Sequence, residues 1–195
     1  AAEIRIQDVT TPGGIKAWLV EEHGIPFTAL EIRFRGGTSL DLPGKRGATM
    51  LMAGLLEEGA GKLDAQGFAE AREGLAAKFG FDADDDAISI SAQMLTTNRD
   101  AAVDLLHQAL VNPTFDQGAI DRVKGQIQSM IQSNQTSPEA IASLNAAKVT
   151  YGDHPYGTLN LGTETSVAAL TRDDLFADKA ATMARDQLYV AAVGD

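Results

Sequence analysis

Apolar and polar side chains alternate in several short segments of the chain, and this period of two is typical of strands with one buried face. Two such segments, Ile4–Val9 and Ile15–Glu21, flank the turn-forming sequence Thr11–Gly14 and predict a β-hairpin. Residues 30–35 alternate in the same way and predict a half-buried strand.

A second hairpin is predicted where Phe79–Ala83 and Ile88–Met94 alternate on either side of the acidic turn Asp84–Asp86. The three aspartates lack the ligand order of an EF-hand calcium loop, so we interpret them as a solvated hairpin tip. The apolar run Leu188–Val193 predicts a strand in the centre of a sheet.

Helical segments occupy most of the remaining chain. Ala48–Leu56 contains no charged residue, which predicts a largely buried helix that packs against the sheet. Asp64 is a predicted N-cap for a helix over residues 65–78, and Asn98, Ser137 and Thr171 begin later helices. The apolar residues expected to face the core recur at helical spacing. They are Phe68, Leu75 and Ala76, then Val103, Leu106 and Leu110, then Ile120, Val123, Ile127 and Met130, and finally Ile141 and Leu144.

Strands and helices of this kind predict an α+β fold, with a mixed, largely antiparallel sheet packed against helices. The 195 residues are enough for one domain with a substantial core, so we expect residues 1–195 to form a single domain.

Composition narrows the class of protein. The net charge of −11 argues against nucleic-acid binding, which requires clustered Lys and Arg. The chain has no cysteine, so disulfides and thiolate zinc sites are excluded. The first residue, Ala1, suits a chain left after signal-peptide cleavage. We therefore expect a periplasmic or otherwise exported protein, with the cytoplasm as the alternative.

Several motifs follow one another in a characteristic order. They are Gly36–Gly44, Asn112–Phe115, Tyr151–Gly157, Leu161–Glu164, Leu170–Leu175 and Val193–Asp195. In this order they resemble the insulinase, pitrilysin and mitochondrial processing peptidase family of zinc metallopeptidases, the inverted zincins. The resemblance covers the whole chain and departs from the family pattern at Met183–Asp186. Family subunits continue into a second, similar domain, so the chain resembles the first half of a two-domain subunit.

The resemblance implies a zinc site on the helix Ala48–Leu56, where the family carries His-x-x-Glu-His. The two histidine positions fall on Met50 and Gly54, and the position of the general base falls on Ala53. The family's third ligand, a glutamate, would fall near Ser129 or Met130. A thioether is a poor zinc ligand, and the other side chains offer neither a ligand nor a base.

No other catalytic scheme emerges from the sequence. The three histidines, His23, His107 and His154, are not at metal-binding spacing, and there is no nucleophile-elbow or P-loop motif. We therefore expect no catalytic residue, no metal ligand and no cofactor in this chain. Zinc is expected only in a partner subunit.

Three functions remain open. The resemblance implies a non-catalytic subunit of a heterodimeric metallopeptidase, which helps to form the chamber and bind peptide beside an intact zinc-binding subunit. The alternatives are an active zinc peptidase with a relocated site, or a non-proteolytic scaffold of the same fold. A zinc assay separates the first two. A neighbouring gene for an intact His-x-x-Glu-His subunit would favour the first function over the scaffold.

Overall fold

The computed structural model describes residues 5–195, so Ile4 of the first predicted strand lies outside the described residues. The chain forms eight strands in this part. They are β1 (Gln7–Thr10), β2 (Lys16–Glu21), β3 (Phe27–Arg35), β4 (Gly59–Ala60), β5 (Leu63–Asp64), β6 (Lys78–Ala83), β7 (Ala87–Leu95) and β8 (Leu188–Gly194). Six of them make one sheet in the order β1-β2-β8-β3-β7-β6. Only β2 and β8 are parallel, which confirms the mixed, largely antiparallel sheet.

Seven α-helices accompany the sheet across the described residues. They are α1 (Ala48–Leu55), α2 (Ala65–Gly74), α3 (Arg99–Val111), α4 (Gln117–Thr136), α5 (Pro138–Tyr151), α6 (Glu164–Ala168) and α7 (Arg172–Thr182). Within residues 5–195, no helix combines the length and the apolarity that a membrane span requires.

The core lies between one face of the sheet and the helices. α1 packs on β6, α4 and α7, and its Leu51 and Leu55 are fully buried together with Ile88 and Ile90 of β7. The alternating residues of β3 divide as predicted, because Phe34 is buried while the charged residues between the apolar ones are exposed. The uncharged helix is therefore at the centre of the molecule, and the predicted α+β fold is confirmed.

The predicted helix boundaries hold at most N-termini. The side chain of Asp64 accepts a hydrogen bond from the N–H of Gly67, and that of Ser137 accepts one from Ala140. Thr171 caps α7 in a capping box with Asp174. These caps are local in sequence, which is why the sequence predicts them well.

Two details of the helix prediction are wrong. The helix predicted over residues 65–78 ends at Gly74, because Ala76 has a left-handed φ of 51° and Lys78 already belongs to β6. Asn98 precedes α3 but makes no side-chain cap; its amide donates instead to the carbonyl of Leu75, 2.9 Å away.

Several helical residues predicted to face the core are exposed. They are Ala76, Val103, Met130, Ile141 and Leu144. In α3 the buried positions are Ala102, Leu105, Leu106 and Ala109, and in α4 Ile131 is buried where Met130 was expected. Small alanines let α3 approach its neighbours closely, so its buried face is rotated away from Val103. α5 buries no residue within the described chain.

Candidate functional site

The site that the sequence singles out begins at the start of α1. Gly47 is the N-cap residue with a φ of 97°, and it has no side chain to satisfy the free N–H groups of the first turn. The carboxylate of Asp41 replaces that cap, because it accepts hydrogen bonds from the N–H of Gly47 at 2.7 Å and from the N–H of Thr49 at 3.0 Å. A negative charge at a helix N-terminus is stabilising. Asp41 therefore fixes the start of α1.

Gly47→Ala is expected to destabilise the protein by about 3 kcal/mol, from left-handed backbone strain and overpacking together. A Cβ at this position would lie 2.5 Å from the carbonyl oxygen of Leu161. Urea denaturation measures the effect. Gly44→Ala is the matched control, because Gly44 also has a positive φ of 77° but nothing lies within 4 Å of its Cβ position. The free energy of unfolding of this control should fall by only about 1 kcal/mol. Equal losses in both variants would contradict the close approach at Leu161.

Arg46 joins the start of α1 to three distant segments. Its guanidinium donates to the carbonyls of Thr38 and Pro155, and it lies 3.3 Å from the carboxylate of Asp85 at the β6–β7 tip. Its Nε donates to the hydroxyl of Thr158 at 3.0 Å. The predicted solvated tip is thus a structural contact of this arginine, which holds the loops around the first turn of α1 in place.

Met50, Ala53 and Gly54, which the resemblance predicts to be the former zinc-ligand and base positions, all lie within α1. Ala53 is buried, whereas Met50 and Gly54 are half-buried, four residues apart. Met50 packs against the main hydrophobic core. A Cβ on Gly54 would lie 3.4 Å from a methyl group of Val123, so this glycine permits a close approach of α1 and α4.

The structure does not place Ser129 and Met130 in the core beside these residues. Both are exposed on α4, and the hydroxyl of Ser129 donates to the carbonyl of Gly125 in its own helix at 2.9 Å. The residues of α4 that face the core near this point are Ile127 and Ile131. The assignment of Ser129 or Met130 as a former ligand position stays a prediction.

Possible metal donors are scattered. Across residues 5–195, no three His, Asp or Glu side chains are grouped so that they could hold a metal ion. His23 lies 2.6 Å from the carboxylate of Asp195, and this hydrogen bond raises the pKa of His23. The Nδ1 of His154 accepts a hydrogen bond from the N–H of Tyr156, and His107 is exposed on α3.

A pair of carboxyl groups that the sequence did not predict lies at the α1–α7 contact. The hydroxyl of Thr49 lies 2.7 Å from Asp41 and 3.2 Å from Asp178 of α7. Burial, with the nearby charge of Asp41, raises the pKa of Asp178 to about 7. Asp41 lies in the motif Gly36–Gly44. No local sequence pattern marks Asp178, which is 129 residues from Thr49.

β6 is the last strand of the sheet and the strand on which α1 packs. Its inner edge pairs with β7 from Lys78 to Ala83, and no described strand pairs with its outer edge. An unpaired edge presents backbone N–H and C=O groups in the spacing that an extended peptide can match. The candidate site is therefore a helix with no zinc-ligand set beside an open sheet edge.

Comparison with known proteins gives one matching family and several close folds. Residues 17–164 match the family described as Insulinase (Peptidase family M16). The chain is 29% identical over 175 residues to the "Non-peptidase homolog YmxG" of Helicobacter pylori (strain ATCC 700392 / 26695), which covers 90% of this chain and 40% of that protein. It is 22% identical over 170 residues to the "Uncharacterized zinc protease YmxG" of Bacillus subtilis (strain 168). That match covers 87% of this chain and 42% of that protein.

Among solved structures, a peptidase M16 inactive domain from Pseudomonas fluorescens superimposes with a TM-score of 0.93 at 30% identity over 98% of this chain and 47% of that one. A protease from Helicobacter pylori superimposes with a TM-score of 0.86 at 15% identity, over 99% of this chain and 47% of that one. This likeness shows the fold alone. The chain spans less than half the length of these relatives.

Proposed function

Because the chain belongs to the insulinase family of peptidases (family M16), we propose that it is a non-catalytic subunit of a heterodimeric metallopeptidase. It pairs with an intact, zinc-binding subunit of the family and helps to form the chamber that holds peptide substrate. The observation that carries the proposal is α1, which is fully built at the centre of the fold. The family resemblance aligns its Met50, Ala53 and Gly54 with the zinc ligands and the general base.

The start of α1 is held in place although the helix carries no side chain suited to zinc catalysis. Asp41 accepts a hydrogen bond from Gly47 at the start of α1, and Arg46 lies beside Asp41. Two relatives described as a non-peptidase homolog and an inactive domain support a member of the family without peptidase activity. A fold does not by itself imply an activity, so the proposed role of this chain is binding.

The open edge of β6 supports a role in holding peptide. An extended substrate pairs with such an edge through main-chain hydrogen bonds, which require no particular side chain in the peptide. The net charge of −11 favours basic peptides at this surface through long-range attraction.

The first arm of the test examines the chain alone. We expect metal analysis after dialysis to find no stoichiometric zinc, and a peptide-cleavage assay to find no chelator-sensitive activity. As a further check, M50H/A53E/G54H should bind zinc only weakly, because it supplies two imidazoles without a third ligand. Stoichiometric zinc together with chelator-sensitive cleavage in the wild-type protein would favour the alternative of a relocated site.

The second arm examines the partner. The protein is co-expressed with the insulinase-family protein of the same genome that carries an intact His-x-x-Glu-His helix, and the pair is purified by a tag on one of them. We expect co-purification, and cleavage that is faster than that of the intact subunit alone. If the two proteins do not co-purify and the intact subunit is fully active alone, the proposal is contradicted and a non-proteolytic scaffold is favoured.

A further inference from the structure

The hydroxyl of Thr49 lies between two carboxyl groups at the α1–α7 contact. Its oxygen is 2.7 Å from Asp41 and 3.2 Å from Asp178. A hydroxyl group has one proton to donate and two lone pairs with which it accepts. Thr49 can therefore donate to only one of the two carboxyl groups at a time, and the other contact requires a proton on the carboxyl group itself.

Asp41 is the carboxyl group that accepts. Its oxygens also receive the backbone N–H groups of Gly47 and Thr49, and the guanidinium of Arg46 lies 3.6 Å away. Donors of this kind stabilise a charged carboxylate. The Thr49 hydroxyl, at the shorter of its two contacts, completes this set of donors. Its proton therefore points to Asp41, and a lone pair of its oxygen is left for Asp178.

Asp178 is the carboxyl group that holds a proton. Within residues 5–195, its Oδ2 is buried without a hydrogen-bond partner, which a neutral carboxyl group tolerates far better than a charged one. The protonated side chain donates from Oδ1 to the oxygen of Thr49, 3.2 Å away. Burial and the charge of Asp41 raise the pKa of Asp178 to about 7, which agrees with this geometry.

We propose that the proton on Asp178 is a switch that controls the contact of α7 with α1. With the proton, the C-terminal half of α7, Asp178–Thr182, docks on α1 through the hydrogen bond to Thr49. As the pH rises, the O–H bond of Asp178 breaks and water takes up the proton. The charged Asp178 then faces the charge of Asp41 and a Thr49 oxygen that has no proton for it, so this half of α7 separates from α1. Because the switch involves this chain alone, it operates whether or not a partner subunit exists.

The N-terminal half of α7 is anchored independently of Asp178. Arg172 donates to the carbonyl of Thr114 at 2.8 Å and to that of Phe115 at 3.0 Å. Asp174 pairs with Lys45 at 2.8 Å. These contacts hold the start of α7 in place while its other end moves.

The C-terminal half of α7 has fewer ties. The hydroxyl of Thr182 donates to the carbonyl of Asp178 within the same helix, at 2.8 Å. Among the described residues, the contact with Thr49 is the one side-chain hydrogen bond between this half and another element. Loss of that contact therefore frees this end of α7 first.

The charged groups near Asp178 come from both helices and from the loop before α1. They are Asp41, Lys45, Arg46, Asp174 and Lys179. The titration of Lys179 has to be distinguished from that of Asp178, because burial lowers the pKa of Lys179. Lys179→Met removes this group and leaves Asp178 in place.

A unique thiol measures the opening. The chain has no cysteine and Thr182 is 1% exposed, so Thr182→Cys places a buried thiol at the end of α7. Its alkylation rate is divided by that of an unstructured cysteine peptide at the same pH, which removes the effect of thiolate formation. We expect this ratio to rise about tenfold from pH 5 to pH 8. The rise should remain when Lys179→Met is added. It should vanish when Asp178→Asn is added, because the amide N–H₂ donates to Thr49 at every pH.

A second buried thiol distinguishes local opening from unfolding of the whole domain. Ala109→Cys is the matched control, because Ala109 on α3 is 0% exposed and belongs to a separate cluster of the core. At pH 8 the thiol at position 182 should react at least tenfold faster than the thiol at position 109. Its rate should also depend less on low concentrations of urea, because local opening exposes little surface.

Hydrogen exchange of the wild-type protein gives a readout without a new thiol. After correction for the intrinsic exchange rate, the protection of Asp178–Thr182 should fall about tenfold from pH 5 to pH 8. The fall should be absent in Asp178→Asn.

Four results would overturn the switch. They are a constant alkylation ratio at position 182, a rise that persists in Asp178→Asn, a rise that Lys179→Met abolishes, and equal rates and urea dependence for the two thiols. If Thr182→Cys does not fold, the same decision rests on hydrogen exchange of the wild-type protein and Asp178→Asn.

Discussion

Replacing Arg46 with methionine is expected to lower the free energy of unfolding by about 3–5 kcal/mol, the range for breaking one side of a buried charge network. The side chain of Arg46 is only 16% exposed, and the side chain of the nearby Asp41 is not exposed at all. Methionine would leave the carbonyls of Thr38 and Pro155 without their donor and Asp41 without its nearby positive charge. The loss falls on three segments of the chain at once, which is why it exceeds that of a surface ion pair.

Chemical denaturation of two further variants makes this result specific. Arg46→Lys keeps the charge but not the planar fork, so it should lose less stability than the methionine variant. Arg122→Met is the matched control, because within residues 5–195 Arg122 pairs only with Glu58 and its side chain is 48% exposed. This control should lose less than about 1 kcal/mol. If Arg46→Met were no more destabilised than Arg122→Met, Arg46 would not hold these loops together.

Replacing Asp178 with asparagine is expected to stabilise the protein at pH 8 by about 2 kcal/mol. Burial and the charge of Asp41 raise the pKa of Asp178 from its ordinary value of 3.8 to about 7. A shift of this size corresponds to about 4 kcal/mol, and partial exposure to solvent reduces the expected effect to about half of that value. Asparagine keeps the shape of the side chain without the buried charge.

The direction of the pH dependence follows from proton binding. Between about pH 4 and pH 7 the folded protein holds a proton on Asp178 that the unfolded chain has released, so the stability that Asp178 contributes falls as the pH rises through this range. Above the folded pKa this contribution is constant. The free energy of unfolding of the wild-type protein should therefore fall from pH 5 to pH 8 relative to that of Asp178→Asn.

The difference in the free energy of unfolding between the wild-type protein and Asp178→Asn reports on Asp178 alone. The raised pKa of His23 beside Asp195 also lowers stability as the pH rises, but it does so equally in the wild-type protein and the variant. Asp104→Asn, on the exposed side of α3, is the control for removal of a negative charge. Parallel stability curves for the wild-type protein and Asp178→Asn between pH 5 and pH 8 would show that Asp178 does not titrate in this range.

The two variants test different parts of one arrangement. Both residues act on the first turn of α1. Arg46 lies beside Asp41, which accepts hydrogen bonds from that turn, and Asp178 of α7 contacts Thr49 within it. Both contacts are present although the helix has no zinc-binding side chain at Met50 or Gly54. A helix held in place in this way agrees with the proposed function of a subunit that works by shape and binding.

Much of the fold is encoded locally and was predictable from the sequence. Both hairpins, the uncharged helix α1 and the caps at Asp64, Ser137 and Thr171 depend on residues within a few positions of one another. The positions of Met50, Ala53 and Gly54 on one buried helix were predictable for the same reason. The spacing of hydrophobic residues and the capping of helix ends depend on one or two turns of chain. They can therefore be predicted without knowledge of tertiary contacts.

Only the tertiary structure decided which apolar residues are buried and which distant groups meet. Val103, Met130, Ile141 and Leu144 fit a helical stripe, but a side chain is buried only where another element covers it. No element among the described residues covers any of these four side chains. The contact of Thr49 with Asp178 spans 129 residues, so no local pattern contains it. Periodicity describes a side chain's direction on its own helix, whereas burial and pKa depend on what the rest of the fold brings to that side.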